Sequence, residues 1–135
     1  GQSVAAVVRA PCSEVYVMFG FKRSVSPALP LTEAIARVGT GEMILIDVRD
    51  HAELSQSGQA EGALHIPLAR LPMVADPRHP DFEPRLSGDK PIAIYCASGA
   101  RSGLAQNVLK KLGYRETHNL GGLRHWAEAG GKLRR

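Results

Sequence analysis

An apolar run that ends in a thiol and passes straight into a helix-spaced segment restricts the fold of this chain more than any other feature. Pro91-Ile92-Ala93-Ile94-Tyr95 reads as a short buried strand and Cys96 closes it. Apolar residues then recur at helical spacing over 102–112, before a terminating Gly113. The thiol therefore belongs at a strand-to-helix turn. Backbone N–H groups at such a turn point inward and the helix dipole adds positive potential, so both should lower the thiol pKa and hold an anionic sulfur. The competing reading is a buried free cysteine that packs as a small hydrophobe.

A second apolar run, Met43-Ile44-Leu45-Ile46, has the pattern of a strand covered on both faces. Asp47-Val48-Arg49-Asp50 follows it directly, which places these charges at the carboxyl end, where ligands bind in open α/β sheets. If the two strands are parallel, Asp47, Arg49 and Cys96 emerge on one sheet edge. The expected fold class is therefore α/β, with a mostly parallel sheet and helices on both faces. Asp47 and Arg49 also have a bracing reading, in which the pair ties neighbouring backbone and loop groups together.

The remaining elements are shorter. Thr32 is an N-cap candidate for a helix through Val38 with Ala34, Ile35 and Val38 on its apolar face and Gly39 at its end. Residues 51–56 suit a short helix, and 58–67 a turn and brief strand stopped by Pro67. Five prolines over 71–91 leave room for short helical turns at most. Thr117-His118-Asn119-Leu120 is a last small strand, Gly121-Gly122 a tight turn, and 123–129 a closing helix that buries Trp126.

Length and composition bound the rest. The 135 residues, 44% of them hydrophobic, suit one domain, read as 31–133 behind an N-terminal extension or linker at 1–30. Met18-Phe19-Gly20 has the look of a natural start, which would make 1–17 an upstream extension. The two cysteines, Cys12 and Cys96, are far apart and lack short-spaced His or Cys neighbours, so neither a metal site nor a disulfide scaffold is suggested. That separation favours a reducing, cytoplasmic setting. The net charge of +4 is spread as single residues or pairs and only seven aromatics are present, which speaks against nucleic acid. No run reaches the roughly 18 apolar residues of a membrane span.

Taken together, the motifs resemble those of a single-domain rhodanese, a sulfurtransferase family, from about Leu31 to Gly131. Asp47-Val48-Arg49 is similar to the family's D-V-R element, and Gly58 to Pro67 to its G-H-x-x-G-A-x-x-I-P element, with Gln59 where His is common. Gly121-Gly122-Leu123-Arg124-His125-Trp126 is similar to the terminal G-G-x-x-x-W, and Cys96 to Arg101 to the active-site C-x-x-G-x-R.

The resemblance implies a rhodanese-like fold and a Cys96 that cycles between thiolate and persulfide with no cofactor and no metal. The implied partners are a small sulfur donor such as thiosulfate and an acceptor that is cyanide, a thiol or a sulfur-accepting protein. The N–H groups of Ala97, Ser98, Gly99, Ala100, Arg101 and Ser102 would cradle the donor, with Arg101 and Arg49 as a cationic wall. Ser102 would cap the following helix or donate to the terminal sulfur, and Asp47 and Arg49 would support the site.

Two other functions compete. Phosphatases and arsenate reductases of the related Cys-loop type separate Cys and Arg by five residues. Here four intervene, which encloses something nearer one sulfur atom than a tetrahedral oxyanion. A non-catalytic interaction module is the alternative of a different class, although the cysteine, glycine and arginine of the loop are all present. His65, His118 and His125 are weaker candidates as proton carriers, and Cys12 as a resolving thiol.

Overall fold

The computed structural model describes residues 29–134 except Gly88. The sequence expectations for residues 1–28, including the start at Met18 and the role of Cys12, lie outside the described residues. Four parallel strands form the central sheet: β1 (Ile44–Asp47), β3 (Leu64–His65), β4 (Ile92–Cys96) and β5 (Thr117–Gly122), in the order β3-β1-β4-β5. A second, antiparallel pair joins β2 (Gln59–Ala60) to β6 (Leu133–Arg134).

Alternation along β1 and β4 divides the core in two. Ile46, Ile92, Ile94 and Cys96 face a cluster with α3 (Leu71–Val74) and α4 (Ala100–Lys111), to which Leu71, Val74, Ala105 and Leu109 contribute. Leu45, Ala93 and Tyr95 face the other cluster, closed by Ala34 of α1 (Leu31–Thr40) and by Leu123 and Trp126 of α5 (Leu123–Glu128). Both faces of β1 and β4 are thereby covered, which is why their sequences are continuously apolar. No helix among the described residues is long and apolar enough to cross a membrane.

Several local expectations shift. Helix α1 begins at Leu31, so Thr32 lies inside it. Pro30, extended at φ −61° and ψ 139°, supplies the carbonyl that accepts from Glu33 and Ala34. Gly39 is accommodated within the helix, which ends at Gly41, where φ is +84°. The proline-rich stretch holds the one-turn α3 and a 3₁₀ turn, Pro84–Leu86, and a second 3₁₀ turn, Leu68–Arg70, leads into it. Helix α2 (His51–Ser57) starts from a capping box: Asp50 accepts from the Glu53 N–H while Glu53 accepts from the Asp50 N–H, both at 3.1 Å.

Gly121 and Gly122 continue β5 instead of turning. They pair with Tyr95 and Cys96 after a register irregularity at Ile94/Tyr95. A Cβ on Gly122 would collide with the Ala97 carbonyl, and one on Gly121, already at φ +88°, would meet the His125 ring. The glycine pair thus lets the strand beneath the Cys96 loop come into direct contact with it.

Candidate active site

Cys96 is fully buried at the carboxyl end of β4, and the chain turns over it into α4. Gly99 makes this turn possible. Its φ of +108° is accessible at low cost only to glycine, and it aims the Gly99 N–H at Sγ, 2.8 Å away. The Ser102 hydroxyl lies 3.5 Å from Sγ. Burial pushes the thiol pKa up. Hydrogen bonds from the Ser102 side chain and from the backbone N–H groups of Ser102, Gly99 and Ser98 outweigh it, so the thiol sits below the ordinary cysteine value. Ala97, Ser98 and Ala100 form an exposed rim above the buried sulfur.

Ser102 is not the helix cap. Gly99 takes that position, and Ser102 lies inside α4, fully buried. Its hydroxyl is 2.6 Å from Asn119 Oδ1 and 3.0 Å from the Gly99 carbonyl. Asn119 Oδ1 also accepts from the Gly121 N–H at 2.9 Å, while Nδ2 donates to the Gly99 carbonyl at 3.0 Å. One amide side chain on β5 therefore ties the cysteine loop, the first turn of α4 and the glycine pair together. Nothing in the sequence marks Asn119 for this task, because it requires knowing the register of β5 against β4.

Arg101 lies at the mouth of the loop, half-buried. Its two terminal nitrogens donate to the two carboxylate oxygens of Glu53 at 2.7 and 2.8 Å. The Arg101 hydrogen bonds hold the Glu53 carboxyl down at about 2 and raise Arg101 above its usual value. Sequence reasoning missed Glu53, although the Asp50-x-x-Glu53 capping-box spacing was a signal that this carboxylate is fixed.

Asp47 and Arg49 occupy the opposite face. Asp47 is fully buried beside Tyr95 on the neighbouring strand. It accepts from Tyr95 Oη at 2.6 Å and from the Arg49 side chain at 2.9 to 3.1 Å. Arg49 also donates to Ser57 Oγ at 2.8 Å and to the Gly58 carbonyl, and Tyr95 Oη accepts from the Ala60 N–H at 2.9 Å. Arg49 is therefore no wall of the sulfur site. Its guanidinium is committed to Asp47, which faces away from the Cys96 side of the sheet, and to the end of α2. The pair braces β1, β4, α2 and β2.

The histidines are engaged elsewhere: His65 Nε2 is 2.7 Å from the Arg49 carbonyl, His118 Nε2 is 2.8 Å from Glu116, and His125 Nδ1 accepts from the Gly122 N–H at 2.9 Å. Gln59 donates to the Ala63 carbonyl at 3.2 Å and steadies the turn after β2.

The family model described as a rhodanese-like domain matches residues 30–129, which hold the buried thiol and its strand-to-helix turn. The chain belongs to this family. A Bacillus subtilis protein named as uncharacterized is 37% identical over 105 residues, covering 77% of this chain and 74% of its own length. An Allochromatium vinosum protein named sulfurtransferase is 35% identical over 92 residues, 67% of this chain and 78% of that one. Among solved structures, a Rhodopseudomonas palustris protein of unknown function, described as a possible tyrosine phosphatase, superposes with a TM-score of 0.70 at 26% identity. The match covers 85% of this chain and all of that one.

Proposed function

We propose that this rhodanese-like chain is a sulfurtransferase that moves a sulfane sulfur from a donor to a thiophilic acceptor through a persulfide on Cys96. The observation that carries the reading is the cysteine loop: a fully buried thiol with a depressed pKa, the Gly99 N–H 2.8 Å from Sγ and further N–H groups from Ser98 and Ser102. These donors favour the thiolate that attacks and, after transfer, the negative charge on the added sulfur.

With thiosulfate as donor, the Cys96 thiolate attacks the outer sulfur. A new S–S bond forms as the donor's S–S bond breaks, and sulfite leaves with the bonding pair. The persulfide then yields its outer sulfur to cyanide or a thiol, and the Cys96 thiolate departs as the leaving group. No cofactor enters the cycle. The relative named as a sulfurtransferase supports the class of reaction, and the four-residue spacing between Cys96 and Arg101 argues against a phosphatase.

The test is thiocyanate formation from thiosulfate and cyanide by the wild type and by Cys96→Ser. Turnover in the wild type and none in the variant supports the reading. Equal turnover in both would remove Cys96 from the mechanism, and none in either, with methanethiosulfonate in place of thiosulfate giving none as well, would favour an interaction module.

A further inference from the structure

The cation at the mouth of the sulfur site is already neutralised. Glu53 holds both terminal nitrogens of Arg101, with the two side chains 28% and 35% exposed, and it is itself held by the Asp50 N–H at 3.1 Å. Arg49, the other arginine near this sheet edge, is paired with Asp47 on the opposite face. Among the described residues, what remains to attract an anion at Cys96 is a set of N–H dipoles and the amino end of α4. Such a cradle stabilises one negative charge on the reacting sulfur. A second charge, on the remote end of a donor lying toward Arg101, meets an arginine that already shares its field with a carboxylate.

We infer that Glu53 is a specificity-determining residue: by occupying Arg101 it turns the site toward sulfane donors with a single negative charge and away from the thiosulfate dianion. This rests on the sulfurtransferase reading above. Organic persulfides and thiosulfonates are the donor classes it favours. With a thiosulfonate, the Cys96 thiolate takes the terminal sulfur and a sulfinate leaves with the bonding pair, so atoms and charge balance as they do for thiosulfate and sulfite.

Thiosulfate and methanethiosulfonate present the same terminal sulfur and differ by one charge at the other end, which makes the ratio of their kcat/KM values for loading Cys96 the quantity to measure. Glu53→Gln retains an oxygen for the Asp50 N–H and should raise the thiosulfate-to-thiosulfonate ratio by about tenfold. Arg101→Gln should lower it by a similar factor. Because both donors are assayed on the same preparation, a partly unfolded variant leaves the ratio untouched. An unchanged ratio in both variants would overturn the inference. A chain that takes sulfur from neither donor fails as a sulfurtransferase, and the donor preference falls with it.

Discussion

Tyr95 Oη donates to Asp47 Oδ2 at 2.6 Å across two neighbouring parallel strands, one residue before Cys96 and on the opposite face of the sheet. The bond fixes the end of β4 from behind, while the chemistry proposed for the chain takes place in front. Tyr95→Phe should cost about 1–3 kcal/mol, because it leaves the Ala60 N–H without a partner and takes one donor from Asp47 Oδ2, which keeps its bonds from Arg49. The rate at which folded protein loads sulfur should be nearly unaffected. Chemical denaturation paired with single-turnover loading separates the two quantities, and a large fall in rate with unchanged stability would contradict this division of faces.

Removing one member of the buried ion pair is a harsher change. Arg49→Ala leaves Asp47 buried without its cation and should destabilise the fold by about 3–5 kcal/mol. A shift in the denaturation midpoint smaller than that of Tyr95→Phe would mean that the pair does not brace the sheet edge.

Gly122→Ala tests the contact beneath the cysteine loop. The added methyl group meets the Ala97 carbonyl, so the loop must lift off β5. We expect about 1–3 kcal/mol of lost stability and a larger loss of sulfur loading than in Gly39→Ala, a glycine in α1 with open space around it. Equal activity in the two variants would show that the loop tolerates displacement.

The thiol gives the pH dependence its sign. Its folded-state pKa is depressed, net of burial, by the Ser102 hydroxyl and by the Ser102, Gly99 and Ser98 N–H groups. Loading should therefore rise with pH and level off with a midpoint below that of an ordinary cysteine. Ser102→Ala should move this midpoint upward. A midpoint that stays where it was would place the Ser102 hydroxyl outside the ionisation.

Glu53 contributes in the acid range. Its carboxyl is held at about 2 against an ordinary 4.5, first by Arg101. The stability from this pair is fully present above 4.5 and is lost as pH falls through about 2. Acid titration of stability should be flatter in Glu53→Gln than in the wild type, and identical profiles would show that the ion pair does not persist in solution.

The position of Cys96 was legible because strand, turn and helix each leave a local pattern in sequence: an apolar run, a glycine at Gly99, then helical spacing. The parallel sheet followed from two apolar runs with charge or thiol at their carboxyl ends. What escaped was everything set by register between strands. The Asp47 and Cys96 side chains sit at the same sheet edge but on opposite faces, a distinction that depends on odd or even position in β1 and β4. Asn119 reaches the loop only because β5 pairs with β4 as it does. Gly121-Gly122 looks like a turn locally and is a strand because the loop above leaves no room for a Cβ. Arg101 was read as an open cation because its partner Glu53 lies on a helix distant in sequence.

The most direct measurement is intact-protein mass spectrometry of the wild type and Cys96→Ser before and after a sulfane donor, with cyanide added last. Thiosulfate and methanethiosulfonate serve as separate donors. The account predicts a gain of about 32 Da, one sulfur atom, that maps to Cys96, is absent from the variant and is removed by cyanide. No gain from either donor on folded, reduced protein, or a gain that survives in Cys96→Ser, would contradict it.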